Sequence, residues 1–459
     1  MAADATRPPA LFEPTAFTTF RFLERALDAH GTVTLRYALD EQVFFEERFE
    51  LVLERPLSVQ QIEQAQGLLA LLHWVAGVSY FKTAAPPAVA CESGAPPAAT
   101  RSLLEALYSE GLGEFAYTNA LPALPRPRFP EAPAEPRPSR PAPGRPVPRR
   151  VLVAVGGGKD SAVAIEIMRR TPLELALFSV GDAAPIARTV AVAGLPHVLA
   201  RRHLDPGLAE LNSEGALNGH VPVTAIVTAV ALLNASLRGF DTVAMANERS
   251  ASSGSLSWDG VVVNHQFSKS LRAERLLSAA VAELAPAMSV FSLLRPASEL
   301  AIARAFARMS AYHSAFTSCN RIFRIDPALR SASWCCECPK CRFVYLVLAP
   351  FLAPERLREI FGRDLLAEEA QFEGFALLCA SGGHKPFECV GEEQESVAAI
   401  RLLAQDARWR GHAVLERLLA EVLPRAGVGS GDPAAVLALS DEHDVPDSLI
   451  GDVRALLGA

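Results

Sequence analysis

VLVAVGGGKDSAVAIEIMRR (151–170) decides the fold of this chain. VLVAV is a continuous apolar run, as expected for a strand buried on both faces. AVAIEIMRR has helical spacing. GGGKDS (156–161) joins them, and its context makes it more than a run of glycines. Gly156, Gly157 and Gly158 let the backbone approach an anion closely. The helix that follows offers unpaired amides and the positive end of its dipole. Lys159 can add a point charge, Ser161 a hydroxyl, and Asp160 has no packing reason to be there. Together they describe a phosphate cradle. It is neither GxxxxGK[ST] nor GxGxxG.

Outward from the loop, apolar runs alternate with helical patterns. LELALFSV (173–180), DTVAMA (241–246) and SVFSLL (289–294) read as strands. HVPVTAIVTAVALLNASLRG (220–239) and ASELAIARAFARM (297–309) read as helices. Such alternation predicts an α/β fold with a doubly wound parallel sheet. Ligands then bind beyond the carboxyl ends of the strands. That domain is placed at 151–313. Before it, TVTLRYAL (32–39) and RFELVLE (48–54) alternate like strands, and SVQQIEQAQGLLALLHWVAG (58–77) reads as a helix with Ser58 as its N-cap. These predict a small α+β domain over 1–120. Residues 121–150 hold 11 of the 34 prolines, with seven Arg against two Glu, and are read as an extended, solvated linker. Residues 314–459 hold a cysteine cluster followed by helices at 396–409 and 412–423.

Composition bounds the function. The 459 residues are 50% apolar and 21% charged, which supports buried cores. The 44 Lys+Arg and 51 Asp+Glu give a net charge of -7, against a dedicated nucleic-acid binder. Eight cysteines are too few for a disulfide scaffold. The N-terminus, MAADATRPPALFEPT, has no basic segment before an apolar core. The apolar windows 69–79 and 223–235 are shorter than the roughly 20 residues that span a bilayer. A cytoplasmic protein that engages neither membrane nor nucleic acid is expected.

Cys335, Cys338 and Cys341 form CxxCxxC, and Cys319 lies 16 residues earlier. Four thiolates at this spacing suit a structural, tetrahedral Zn²⁺. Cys336 can replace Cys335 in the set. An iron–sulfur cluster and a group of unligated thiols are the alternatives.

GGGKDS resembles the pyrophosphate loop of the ATP pyrophosphatase (PP-loop) family, SGGxDS. Gly157, Gly158, Asp160 and Ser161 match, and Gly156 stands in place of the leading Ser. The resemblance covers roughly 150–310 and implies ATP, Mg²⁺ and nucleotidyl transfer. ANERSAS (246–252), VNHQFSKSL (263–271), SCNRIF (318–323), CPKCRFVYL (338–346) and KPFECVGE (385–392) add a closer one. With GGGKDS they resemble the MurL family over about 150–395, and more loosely at WVAGVSYFK (74–82). That family epimerises the terminal L-Glu of UDP-N-acetylmuramoyl-L-alanyl-L-glutamate, using ATP and Mg²⁺ and releasing AMP and pyrophosphate.

Roles follow as expectations. Gly156 to Ser161 hold the phosphates. Arg249, at the end of the DTVAMA strand, faces the ligand crevice and pairs with phosphate or a substrate carboxylate, or else forms a surface ion pair. Glu248 holds Mg²⁺ or pairs with Arg249, and Asn247 lies beside them. His265 and Lys269 contact phosphate or move protons. Lys385, Glu388 and Cys389 follow a Gly-Gly pair. Cys389 is the candidate base, or a packing residue. The competing readings are an RNA-modifying sulfurtransferase, an ATP-dependent amide ligase and a nucleotide-binding regulator.

Overall fold

The computed structural model describes residues 12–132, 147–258, 260–323, 330–379, 386–427 and 429–458. The chain forms two compact units. The first takes the described residues up to 132 together with Leu199–Asp241 and Arg275–Ser289; the second takes Val147–Val198, Thr242–Glu274 and the described residues from Val290 onward.

In the first unit, β1 (Thr19–Leu27), β2 (Thr32–Leu39) and β3 (Val43–Leu51) make an antiparallel meander. β4 (Ala88–Cys91) runs parallel to β1. β3 also pairs antiparallel with β7 (His197–His203), from Arg48 opposite His203 to Leu51 opposite Ala200. The turn from β1 to β2 needs Gly31, whose φ is +87° and whose added Cβ would stand 2.6 Å from the Leu51 carbonyl oxygen. Phe20, Phe22, Tyr37, Tyr80, Phe81 and Tyr108 are fully buried and pack ring on ring, with Tyr37 and Tyr108 hydroxyls donating to the carbonyls of His73 and Trp74.

The helical pattern at 58–77 is real but not continuous. Ser58 caps a short helix, Val59–Gln64, in a reciprocal box with Gln61, and a second helix, Gln66–Ala76, follows Ala65. The second packs on the apolar helix Val223–Leu237. Both expected apolar windows are therefore core helices, and among the described residues no helix is long and apolar enough to cross a membrane. Residues 121–132 form no helix, as their prolines dictate. They are nevertheless not wholly solvated: Phe129 is buried against Phe22 and Tyr108. The expected linker residues 133–146 lie outside the described residues.

The second unit is built on β5 (Arg150–Ala154), where Val151, Leu152 and Val153 have no exposure at all. β6 (Glu174–Val180) and β8 (Thr242–Met245) flank it, both parallel. β11 (Ser289–Ser292) lies outside β8, and Pro196, at the head of β7, accepts from the Leu177 amide of β6. β9 (Leu256–Trp258) and β10 (Val261–Val263) make a separate hairpin. The α/β alternation read around β5 is thus the observed one. Helix Lys159–Met168 packs on helix Glu299–Ala307, which in turn packs on Pro339–Leu348. The helices read at 396–409 and 412–423 appear as Glu393–Ala404 and as Ala413–Arg417 continued by a π turn, Leu418–Val422.

Candidate functional site

The loop after β5 turns at Gly157, with φ +80°. An added Cβ there would come within 2.7 Å of the Pro185 and Ile186 backbone, so only glycine fits. The Ser161 hydroxyl accepts from the Gly156 amide at 2.9 Å and closes the loop on itself. No side chain caps the helix that begins at Lys159. Its first-turn amides therefore remain available to an anion.

Lys159 does not reach toward that anion. It is buried, and its ammonium lies 2.5 Å from Asp160 Oδ1 and in a still closer contact with Glu299. Glu299 also faces Lys340 Nζ at 3.5 Å. Burial alone would raise the Glu299 carboxyl, but Lys159, Lys340 and Lys269 hold it down, to about 2. Asp160 moves the other way: burial raises it, Lys159 opposes, and Glu299 and Glu248 raise it further.

Lys269 is the centre of a second set of charges. Burial would lower its ammonium, yet Cys389, Glu248, Asp160 and Glu299 hold it above the ordinary lysine value. Cys389 responds in kind. Burial pushes the thiol up, and Lys269, a hydrogen bond with His265 and the charge of Lys340 more than reverse this, to about 6. Cys389 Sγ lies 3.8 Å from His265 Nε2. Glu388 accepts from the Lys340 amide at 3.1 Å, and burial raises its carboxyl. Cys379 differs: burial raises its thiol, to about 12.

Asn247 Nδ2 donates to Ser292 Oγ at 2.9 Å. Arg249 donates to the carbonyls of Val436 and Ala438, at 3.1 and 3.0 Å. Its guanidinium so ties down the end of helix Pro433–Leu437. Lys385 lies outside the described residues. Glu248 is buried, and its carbonyl accepts from the buried Arg295, which is paired with Glu274.

The four sulfurs of Cys319, Cys335, Cys338 and Cys341 lie within 4.8 Å of one another. Cys338 and Cys341 are 3.5 Å apart, Cys335 and Cys341 3.7 Å. Four thiolates bound at about 2.3 Å to one tetrahedral ion would stand roughly 3.8 Å apart. The donor set therefore fits a single zinc, closed to water. A cubane iron–sulfur cluster gives each thiolate its own iron and sets them further apart. Cys336 is outside the set. Its φ of +60° turns its thiol toward the Phe361 carbonyl, 3.3 Å away, where burial raises it to about 11.

Sequence reasoning did not single out Glu299, Lys340 or Glu395. Glu395 is buried, accepts from Ser250 and from the amides of Glu299 and Glu392, and is raised to about 8 by burial and by the charges of Glu299 and Glu392. A carboxylate inside an apolar helical pattern, as in SELAIARAF, was the available signal.

Residues 11–293 match the family model of the MurL N-terminal domain, and residues 315–430 that of the MurL C-terminal domain. Three curated relatives carry the name UDP-N-acetyl-alpha-D-muramoyl-L-alanyl-L-glutamate epimerase. The protein of Salinispora tropica is 47% identical over 380 residues, 82% of either chain. That of Xanthomonas oryzae pv. oryzae is 42% identical over 453 residues, 97% of this chain and 98% of its own. That of a Micromonospora species is 44% identical over 436 residues, 93% of this chain and 96% of its own.

Proposed function

The chain belongs to the MurL family and is an isomerase of the epimerase class, and we propose that it converts the terminal L-Glu of UDP-N-acetylmuramoyl-L-alanyl-L-glutamate to D-Glu in peptidoglycan precursor synthesis. In this reading residues 151–313 form an ATP pyrophosphatase domain. The glutamate α-carboxylate attacks the α-phosphorus of ATP at the GGGKDS loop, forming an acyl-adenylate and releasing pyrophosphate. An α-proton beside an ionised carboxylate is very weakly acidic, because its removal sets a second negative charge next to the first. The acyl-adenylate has no such charge. Cys389, as thiolate, takes the α-proton, and Lys269 and Lys340 offset the enolate charge. Lys269 holds its own proton firmly and so acts by charge. An acid on the opposite face delivers a solvent-exchangeable proton to the α-carbon, and water hydrolyses the acyl-adenylate to AMP and the D-Glu product.

The observation that carries this reading is a single electrostatic cluster. Lys269 and Lys340 act both on Asp160, in the loop, and on Cys389, the thiol. Activation and proton transfer are therefore served by neighbouring charges. Asp160, pushed up by Glu248 and Glu299, has carboxylate neighbours whose repulsion a divalent cation relieves. Asp160 and Glu248 would hold Mg²⁺, which supplies charge neutralisation for the leaving pyrophosphate. A zinc closed by Cys319, Cys335, Cys338 and Cys341 would keep those four thiols from carrying sulfur or a cluster, which counts against the sulfurtransferase reading. The test is incubation with the L-Glu precursor and MgATP, then chiral analysis of the glutamate. D-Glu with stoichiometric AMP and pyrophosphate is the expected result; D-Glu formed without ATP would defeat the adenylate mechanism.

A further inference from the structure

The GGGKDS loop has a wall contributed by a distant stretch of chain. The Thr317 amide donates to the Gly157 carbonyl at 3.0 Å, which lays the segment before Cys319 along the loop. Ser318 Oγ stands over Gly158: an added Cβ on that glycine would lie 2.8 Å from it. Ser318 is half-buried and hydrogen-bonds to none of the described residues. Behind it, half-buried Arg188 donates to the Ala315 carbonyl at 3.1 Å and to Thr317 Oγ1 at 3.3 Å. Both acceptors are neutral, and no described carboxylate pairs with this guanidinium. A hydroxyl therefore stands over the N-cap of an uncapped helix, and a cation with donors to spare holds the segment that presents it.

We propose that Ser318 and Arg188 bind the polyphosphate held by the GGGKDS loop, with the Ser318 hydroxyl supplying the donor that Gly156 lacks. This rests on the reading of the loop as a phosphate site. It goes beyond that reading by adding two residues outside the loop and by giving the cysteine cluster a task. Cys319 follows Ser318 directly, so a metal held by the four thiols fixes the backbone that presents the hydroxyl. The ligand chemistry is a polyphosphate, either the triphosphate of ATP or the pyrophosphate released from it.

The test is calorimetric titration of the full-length, zinc-loaded chain with MgATP and, separately, with magnesium pyrophosphate. Ser318→Ala and Arg188→Gln should each weaken binding about tenfold, as expected for a hydrogen bond to a charged group. Zinc content and thermal midpoint should stay at wild-type values. Weakening toward both probes places the contact on the transferred pyrophosphate; weakening toward MgATP alone places it on the α-phosphate. Gly156 supplies a rescue. It faces open space, where an added Cβ would meet only Ser161 Oγ, at 4.0 Å. Gly156→Ser in the Ser318→Ala background should recover most of the lost affinity, because it returns a hydroxyl to the same cradle. Wild-type affinity in both single variants would overturn the proposal and leave the loop reading standing. Failure of the wild-type chain to bind either probe would instead overturn the loop reading.

Discussion

Cys389 shows how far neighbours can move one side chain. Burial favours the thiol, and Lys269, His265 and Lys340 together favour the thiolate enough to bring it to about 6. Because the folded value is depressed, the thiolate is present above that pH and lost below it. We expect kcat, and the rate of Cys389 alkylation by iodoacetamide, to rise together through about pH 6. Lys269→Met should move that alkylation midpoint upward, toward an ordinary thiol; an unmoved midpoint would remove Lys269 from the mechanism. Cys389→Ser should cost at least about 100-fold in kcat, the scale of a lost general base, while ATP-dependent pyrophosphate release persists. Asp160→Ala and Ser161→Ala belong to the earlier step. Ser161 holds the loop shut through the Gly156 amide, and Asp160 shares Lys159 with Glu299. Both variants should lose pyrophosphate release and keep a wild-type circular dichroism spectrum. Pyrophosphate release at full rate would take the loop out of the reaction.

At the scale of elements, the cysteine turn and one helix start can be tested separately. The closed thiolate set calls for one zinc per chain, with Cys341→Ser losing the metal and destabilising the surrounding segment. Elemental analysis that found iron with sulfide would refute it. Helix Glu393–Ala404 begins with a reciprocal box between Glu392 and Glu395. The Glu395 carboxyl is raised to about 8, so its contribution to stability is lost as pH rises through that value. The melting temperature should fall from about pH 5 to about pH 8 and level off above it, and Glu395→Gln, which keeps the shape without the charge, should flatten that fall. An identical fall in the variant would assign it to other groups.

For the whole molecule, the two chemical steps must be coupled. If adenylation is what acidifies the α-carbon, reaction in D₂O should place deuterium at the α-carbon of the D-Glu product. ATP should yield AMP and pyrophosphate, and omission of ATP or Mg²⁺ should stop exchange. Exchange without ATP would mean that something other than acyl activation makes the carbon reactive. The first unit has its own buried polar feature, Lys82, whose ammonium donates to Asn218 Oδ1 and which burial lowers to about 8. It lies in WVAGVSYFK, the stretch that carries the looser part of the family resemblance.

Strand, loop and helix at 150–168 were legible because their signals are local: an apolar run, three glycines and a helical period in one stretch. The four-cysteine set was legible for the same reason. β7 was not, since HVLARRH mixes charge into a strand and hides its period. The break at Ala65 was also hidden, because one continuous helical pattern spans both pieces. The choice of Cys335 over Cys336 depended on a single left-handed residue. Sequence by itself determined the family, the glycine turn between strand and helix and the cysteine cluster, all of which rest on residue order over short spans. Only the tertiary structure brought Glu299, Lys340, Lys269 and Cys389 to one place and turned Arg249 toward the carbonyls of Val436 and Ala438. The physical reason is that burial and charge pairing depend on which distant segments meet, and those decide whether a lysine is a solvated charge or a neighbour that draws a thiol toward its charged form.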